Sequence, residues 1–110
     1  MPGDNLFTPN AKGTVSITSS TVSARVALVV APVIAPMAVR VKNVDATNIA
    51  YVEFGGSSVT ASVPSGSTQG SVPIGAGETA GFSLGAGQTN AAAICTAGTP
   101  LVFFTPGDGL

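Results

Sequence analysis

The stretch IGAGETAGFSLGAGQTN, residues 74–90, carries the spacing of a dinucleotide-binding loop at Gly75, Gly77 and Ala80, and its opening Gly-Ala-Gly returns at Gly85. A dinucleotide loop works because a strand feeds a glycine turn that opens a long helix, whose N-terminal amides face the pyrophosphate. After Ala80 the chain reads Gly81-Phe-Ser-Leu-Gly-Ala-Gly87, which leaves no room for a helix before the next turn. A P-loop fails too, because no glycine is followed by Lys-Ser or Lys-Thr. The competing reading makes each Gly-Ala-Gly a chain reversal in which glycine supplies positive φ, with residues 79–84 between them as one sandwich strand. Phe82 and Leu84 then face a core, Thr79, Gly81 and Ser83 face away, and Glu78 and Gln88 occupy matching exposed corners. The segment reads as turn, strand, turn.

Working outward, the same period of two recurs. Val15 and Ile17 alternate with Thr14, Ser16 and Thr18, which marks a half-buried strand. Residues 26–30 are apolar and mostly β-branched, as suits a strand buried on both faces or pressed against another subunit, and Pro32 and Pro36 force an extended connection after it. Residues 38–43 alternate cleanly, with Val39 and Val41 opposed to Arg40 and Lys42. Residues 44–48 read as a turn and residues 49–54 as a returning strand. That pair predicts a hairpin in which Glu53 meets Arg40 or Lys42 across the ladder. Residues 59–63 predict a short strand, residues 64–70 a polar loop, and residues 91–96 and 101–105 two more strands. About eight short strands with turn chemistry between them predict an all-β fold: an antiparallel β-sandwich or small jelly-roll-like barrel over residues 14–110. Residues 1–13, rich in Pro, Gly and Asn, read as an irregular N-terminal arm.

Composition narrows the function classes. At 110 residues the chain is a single domain, and only 8% of it is charged against roughly 25% in ordinary soluble proteins. Four basic residues and a net charge of −1 give no electrostatic footprint for nucleic acid or an anionic membrane. The apolar run over residues 26–39 would rise only about 21 Å as a helix, against a hydrocarbon core of roughly 30 Å, and two prolines interrupt it. It is neither a transmembrane helix nor, from its late start, a signal peptide. With no His and a lone Cys95 the chain has no disulfide partner, no zinc set and no usual base for a nucleophile, and its acids are scattered. Asp45 with Asn43 and Asn48 reads as turn capping rather than a calcium loop. No catalytic residue, metal or cofactor is expected.

The run Val39-Arg-Val-Lys-Asn-Val-Asp-Ala-Thr-Asn-Ile-Ala-Tyr-Val-Glu-Phe-Gly-Gly-Ser-Ser-Val-Thr-Ala61, followed by Phe103-Phe-Thr-Pro-Gly-Asp-Gly109, resembles a small virion protein of tailed bacteriophages. The resemblance covers residues 38–110. It implies a β-sandwich on the outer surface of the virion that clamps neighbouring subunits of the major capsid protein, as a homo-oligomer with a trimer favoured, and it carries no catalytic residues. The arm and most of the apolar run lie outside it and supply the expected partner interface: Leu6, Phe7, Val26, Leu28, Val30, Val33, Ile34 and Met37. Two further readings share the fold: a tail or head-to-tail connector component, and a small glycan-binding or adhesive module, for which Tyr51 is the one tyrosine and no Trp is present.

Overall fold

Along residues 38–43 the valines are fully buried and Arg40 and Lys42 exposed, the pattern of a strand with one wet face. The same logic repeats along the chain. The computed structural model describes residues 8–9, 13–28, 38–85 and 87–108. Among them are nine strands: β1 Thr8–Pro9, β2 Val15–Thr18, β3 Ala24–Ala27, β4 Ala38–Asn43, β5 Ala50–Gly55, β6 Val72–Ile74, β7 Thr79–Ser83, β8 Asn90–Cys95 and β9 Leu101–Asp108. Every pairing is antiparallel.

The strands form two sheets packed face to face. In the first, β9 lies between β4 and a broken edge made of β1 and β2, and β7 lies beyond β4. The second runs β3-β8-β5-β6. From β2 onward each connection passes to the other sheet, except β5 to β6, and this is the strand order of a jelly roll. The expected all-β sandwich is therefore the fold. Of the expected arm, the described Thr8–Pro9 forms β1, in register with Asp108 and Gly107.

The core is built from Ile17, Leu28, Val39, Val41, Val52, Ile74, Leu84, Val102 and Phe104, with alanines of β5 and β8 filling the remaining space. Small residues on β8 make room for rings. Phe54 of the second sheet meets Phe82 at 5.3 Å between centroids and Phe104, edge-on, at 6.2 Å, both from the first. Such tilted and T-shaped contacts add about 0.5–1.5 kcal/mol each beyond the area they bury.

The two Gly-Ala-Gly segments are matching corners. Gly77 and Gly87 hold φ of 73° and 86°, in the left-handed region that a side chain opposes. Glu78 N donates to Gly75 O and Gln88 N to Gly85 O, while the side-chain oxygens of Glu78 and Gln88 accept from Gly75 N and Gly85 N. Each corner passes the chain between sheets, at either end of β7, with Phe82 half-buried against the core and Leu84 buried.

Three expectations differ from the structure. β4 and β5 do not form a hairpin: they lie in different sheets, and residues 44–49 cross the sandwich between them. Buried Asn43 diverts the chain, its Nδ2 donating to Asn48 O at 2.9 Å and Ile74 O at 3.0 Å. Glu53 consequently sits in register with Ala92, away from Arg40 and Lys42, and accepts from Ser71 Oγ at 2.8 Å. Residues 59–63 are not a strand, because that segment lies over a sheet face, where hydroxyl groups take the place of ladder partners. Ala61 N donates to Ser23 Oγ and Ser62 N to Ser71 Oγ. Finally, the strand expected over residues 26–30 starts earlier, at Ala24.

Phe104 is fully buried at the ring cluster whereas its neighbour Phe103 is 36% exposed. Urea denaturation of Phe104→Ala is expected to show a loss of about 3–5 kcal/mol, and of Phe103→Ala a change within about 0.5 kcal/mol.

Candidate functional surface

The two sheets present unequal outer faces. On the second sheet, Arg25, Ala92 and Glu53 stand side by side in register, pointing away from the core. Residues 56–71 fold back over this row. Arg25 Nη1 donates to Val59 O at 3.3 Å, Ser23 Oγ accepts from Ala61 N at 2.9 Å, and Ser71, itself buried, links Glu53 to Ser62 N. Ala61 is buried by the arrangement, and Ala92 has no exposure although it lies on an outer face. At the neck of this connection Gly70 approaches Pro64 so closely that a Cβ would collide with its backbone. Tyr51, in register with Pro73 and Ile94, is half-buried on the same face.

The outer face of the first sheet carries no such cover from the described residues. One row runs Ser16, Phe103, Lys42, Thr79 and the next Thr105, Arg40, Gly81. Ser16, Arg40, Lys42, Thr79, Gly81, Ser83 and Phe103 are exposed. Lys42 Nζ donates to Gly77 O at 3.3 Å, and Thr14 and Thr105 join hydroxyls at 3.0 Å. Beside Arg40, where Gly81 lacks a side chain, is a shallow depression of about 270 Å³ lined also by Thr79 and Ala80. Among the described residues this face thus combines two cations, one exposed ring and several hydroxyls.

Of the eight residues expected to form an interface, Leu6, Phe7, Val30, Val33, Ile34 and Met37 lie outside the described residues. Leu28 is 1% exposed and belongs to the core, and Val26 is half-buried against that core. Phe103, Arg40 and Lys42 were not among the expected contact residues. The signal for Phe103 is the pair Phe103-Phe104: on a strand, consecutive side chains face opposite sides, so one of two adjacent rings must leave the core.

Among the described residues, two further titratable side chains are held by the fold: Asp45 by backbone donors and Cys95 by burial. Asp45 Oδ2 accepts from Asn48 N at 2.7 Å and Thr47 N at 3.1 Å, while Asn43 Oδ1 accepts from Asp45 N at 3.0 Å. The backbone donors of Asn48 and then Thr47 hold the Asp45 carboxyl below its ordinary 3.8. The lone Cys95 is buried, and that burial pushes its thiol above the ordinary 9.0.

No family model matches the chain, and no curated protein matches it. Among solved structures, a chain from a structure of Bacillus endospore appendages, described as a family of disulfide-linked pili, is similar at 17% identity and a TM-score of 0.44, over 88% of this chain and 83% of that one.

A folded-state pKa below the unfolded one means that Asp45 stabilises the fold above about pH 3.8 and that this contribution is lost as pH falls through the lower, folded value. Asp45→Ala is expected to lower the Tm at pH 7, with the gap to the parent narrowing as melts are taken to progressively lower pH below 3.8. Cys95, buried and held as a thiol, is expected to resist a disulfide reagent at pH 7.5 in the native protein and to react fully after denaturation, as followed by thiolate release.

Proposed function

We propose that this chain is a non-enzymatic structural protein of a phage virion, which decorates the outer surface of the capsid and stabilises it by bridging subunits of the major capsid protein. The observation that carries this reading is the inequality of the two sheet faces. One is sealed by the protein's own 56–71 connection, and the other presents Phe103, Arg40 and Lys42 amid small hydroxyl side chains. An exposed ring with an arginine on the same face matches the residue types enriched at contact patches, and the two cations favour a partner with acidic groups at the rim. The resemblance of residues 38–61 and 103–109 to virion proteins supplies the class of partner.

The chemistry of the chain agrees with a passive role. Asp45 is engaged in capping a turn, Glu53 in holding a connection, and Glu78 in closing a corner. Scarcity of charge also suits a protein that works while attached, because a free monomer with little self-repulsion gains from having its surface covered.

Purified particles lacking the protein test this reading directly. Adding it is expected to raise the temperature at which particles release their contents by several degrees. Phe103→Asp and Lys42→Glu are each expected to lower occupancy at least tenfold, a loss of about 1.4 kcal/mol or more in binding. Particles whose stability and protein content are unchanged on addition would falsify the proposal.

A further inference from the structure

β7 is the outer strand of the first sheet. It pairs with β4 on one side, and among the described residues no strand pairs with its other side. Register decides which of its backbone groups are already used. Asn43 N donates to Glu78 O at 3.0 Å, so the hydrogen-bonded pairs of this ladder are those in phase with it, Val41 with Ala80 and Val39 with Phe82. The intervening residues Thr79, Gly81 and Ser83 therefore turn their N–H and C=O groups outward, away from β4.

Sheet edges are ordinarily guarded by charges, prolines or bulges. The second sheet follows this rule: β6 is three residues long with Pro73 at its centre, and β3 carries Arg25. β7, with the sequence TAGFS, has neither a charge nor a proline. Its core-facing residues are also incompletely covered. Ala80 and Phe82 are only half-buried, although the Phe82 ring already meets Phe54.

We propose that β7 pairs with β7 of a second copy of this chain about a two-fold axis at Gly81, joining the two first sheets into one continuous antiparallel sheet. The strand matches itself under this operation. Gly81 lies opposite Gly81 of the second copy, and Thr79 opposite its Ser83, so the outward groups exchange about six hydrogen bonds. Ala80 falls opposite Phe82 in the closer, non-hydrogen-bonded positions, where each ring covers the other copy's methyl group. The charges permit it: Arg40 is in register with Gly81, which places the two arginine Cα atoms about 14 Å apart across two glycines. That exceeds the Debye length of roughly 8 Å at physiological salt.

The contact is a property of the chain alone and stands whether or not it decorates a capsid. It is two-fold, a contact distinct from the trimer that the sequence resemblance implies. A five-residue edge buries less than the roughly 1,200 Å² of a stable complex, so dissociation in solution is expected on the order of 10–100 µM. Held side by side on a surface, many copies gain from the same contact through effective concentration.

Sedimentation of the full chain from about 5 to about 500 µM is expected to show a reversible monomer–dimer equilibrium. Thr79→Lys with Ser83→Lys places like charges opposite each other and is expected to weaken the dimer at least tenfold. Thr79→Lys with Ser83→Glu places unlike charges opposite each other and is expected to hold the dimer within about threefold of the parent. Amide exchange of the unmodified chain provides a readout free of folding defects: the Thr79, Gly81 and Ser83 amides are expected to slow as concentration rises. A parent that stays monomeric, these three amides exchanging at one rate throughout, or equal association of the two double variants, as a contact through another edge gives, each overturns the proposal.

Discussion

A carboxamide with no exposure stands where the sandwich is crossed twice. Asn43 ends β4, and its backbone N–H is held by Glu78 O, its Nδ2 by Asn48 O and Ile74 O, and its Oδ1 by Asp45 N. Leaving any one of these buried groups unpaired costs about 1–3 kcal/mol. One residue, through its side chain and its backbone N–H, thereby fixes the end of β4, the approach to β5, the exit from β6 and the approach to β7. With those four points tied, the chain must leave the first sheet after β4 and return to it after β6. The placement of Arg40 and Lys42 on the open face, and of β7 at its edge, follows.

Much of the fold was legible because strands declare themselves locally. Val39 and Val41 against Arg40 and Lys42, or Ala50 and Val52 against Tyr51 and Glu53, fix which side of a strand is buried. The reversals at Gly77 and Gly87 were legible for a similar reason, since a positive φ is a demand made by a single residue. What alternation cannot encode is the sheet a strand joins. Residues 38–54 have the pattern of a hairpin, and the decision against it rests on an amide reaching Ile74, a residue remote in the sequence. Residues 59–63 misled in the converse way: Val59, Ala61 and Val63 alternate with Thr60 and Ser62, yet the amides of Ala61 and Ser62 pair with the hydroxyls of Ser23 and Ser71, which no periodicity reveals.

The candidate surface was less legible than the fold. A β-branched run such as residues 26–30 says that side chains are covered but not by what, and for Leu28 the cover is the molecule's own core. The open face is instead assembled from single positions on four strands, each unremarkable in its own segment: Ser16, Phe103, Lys42 and Thr79. The triple alanine of β8 shows the cost of sealing the opposite face. Ala91 and Ala93 are small because rings fill the core around them, and Ala92 because a connection lies over it.

That connection ends in a tip with its own closure. Ser65 and Thr68 exchange backbone hydrogen bonds of 3.1 and 2.8 Å, and the Gly66 and Ser67 between them are exposed. The stem therefore delivers and recovers the chain at one point while its base is pinned to Arg25, Ser23 and Glu53. A foreign peptide grafted between Gly66 and Ser67 enters and leaves through a gap one strand wide, so the sandwich need not register its length. The sealed face thus doubles as a mount for display, on the side of the sandwich opposite Phe103, Arg40 and Lys42.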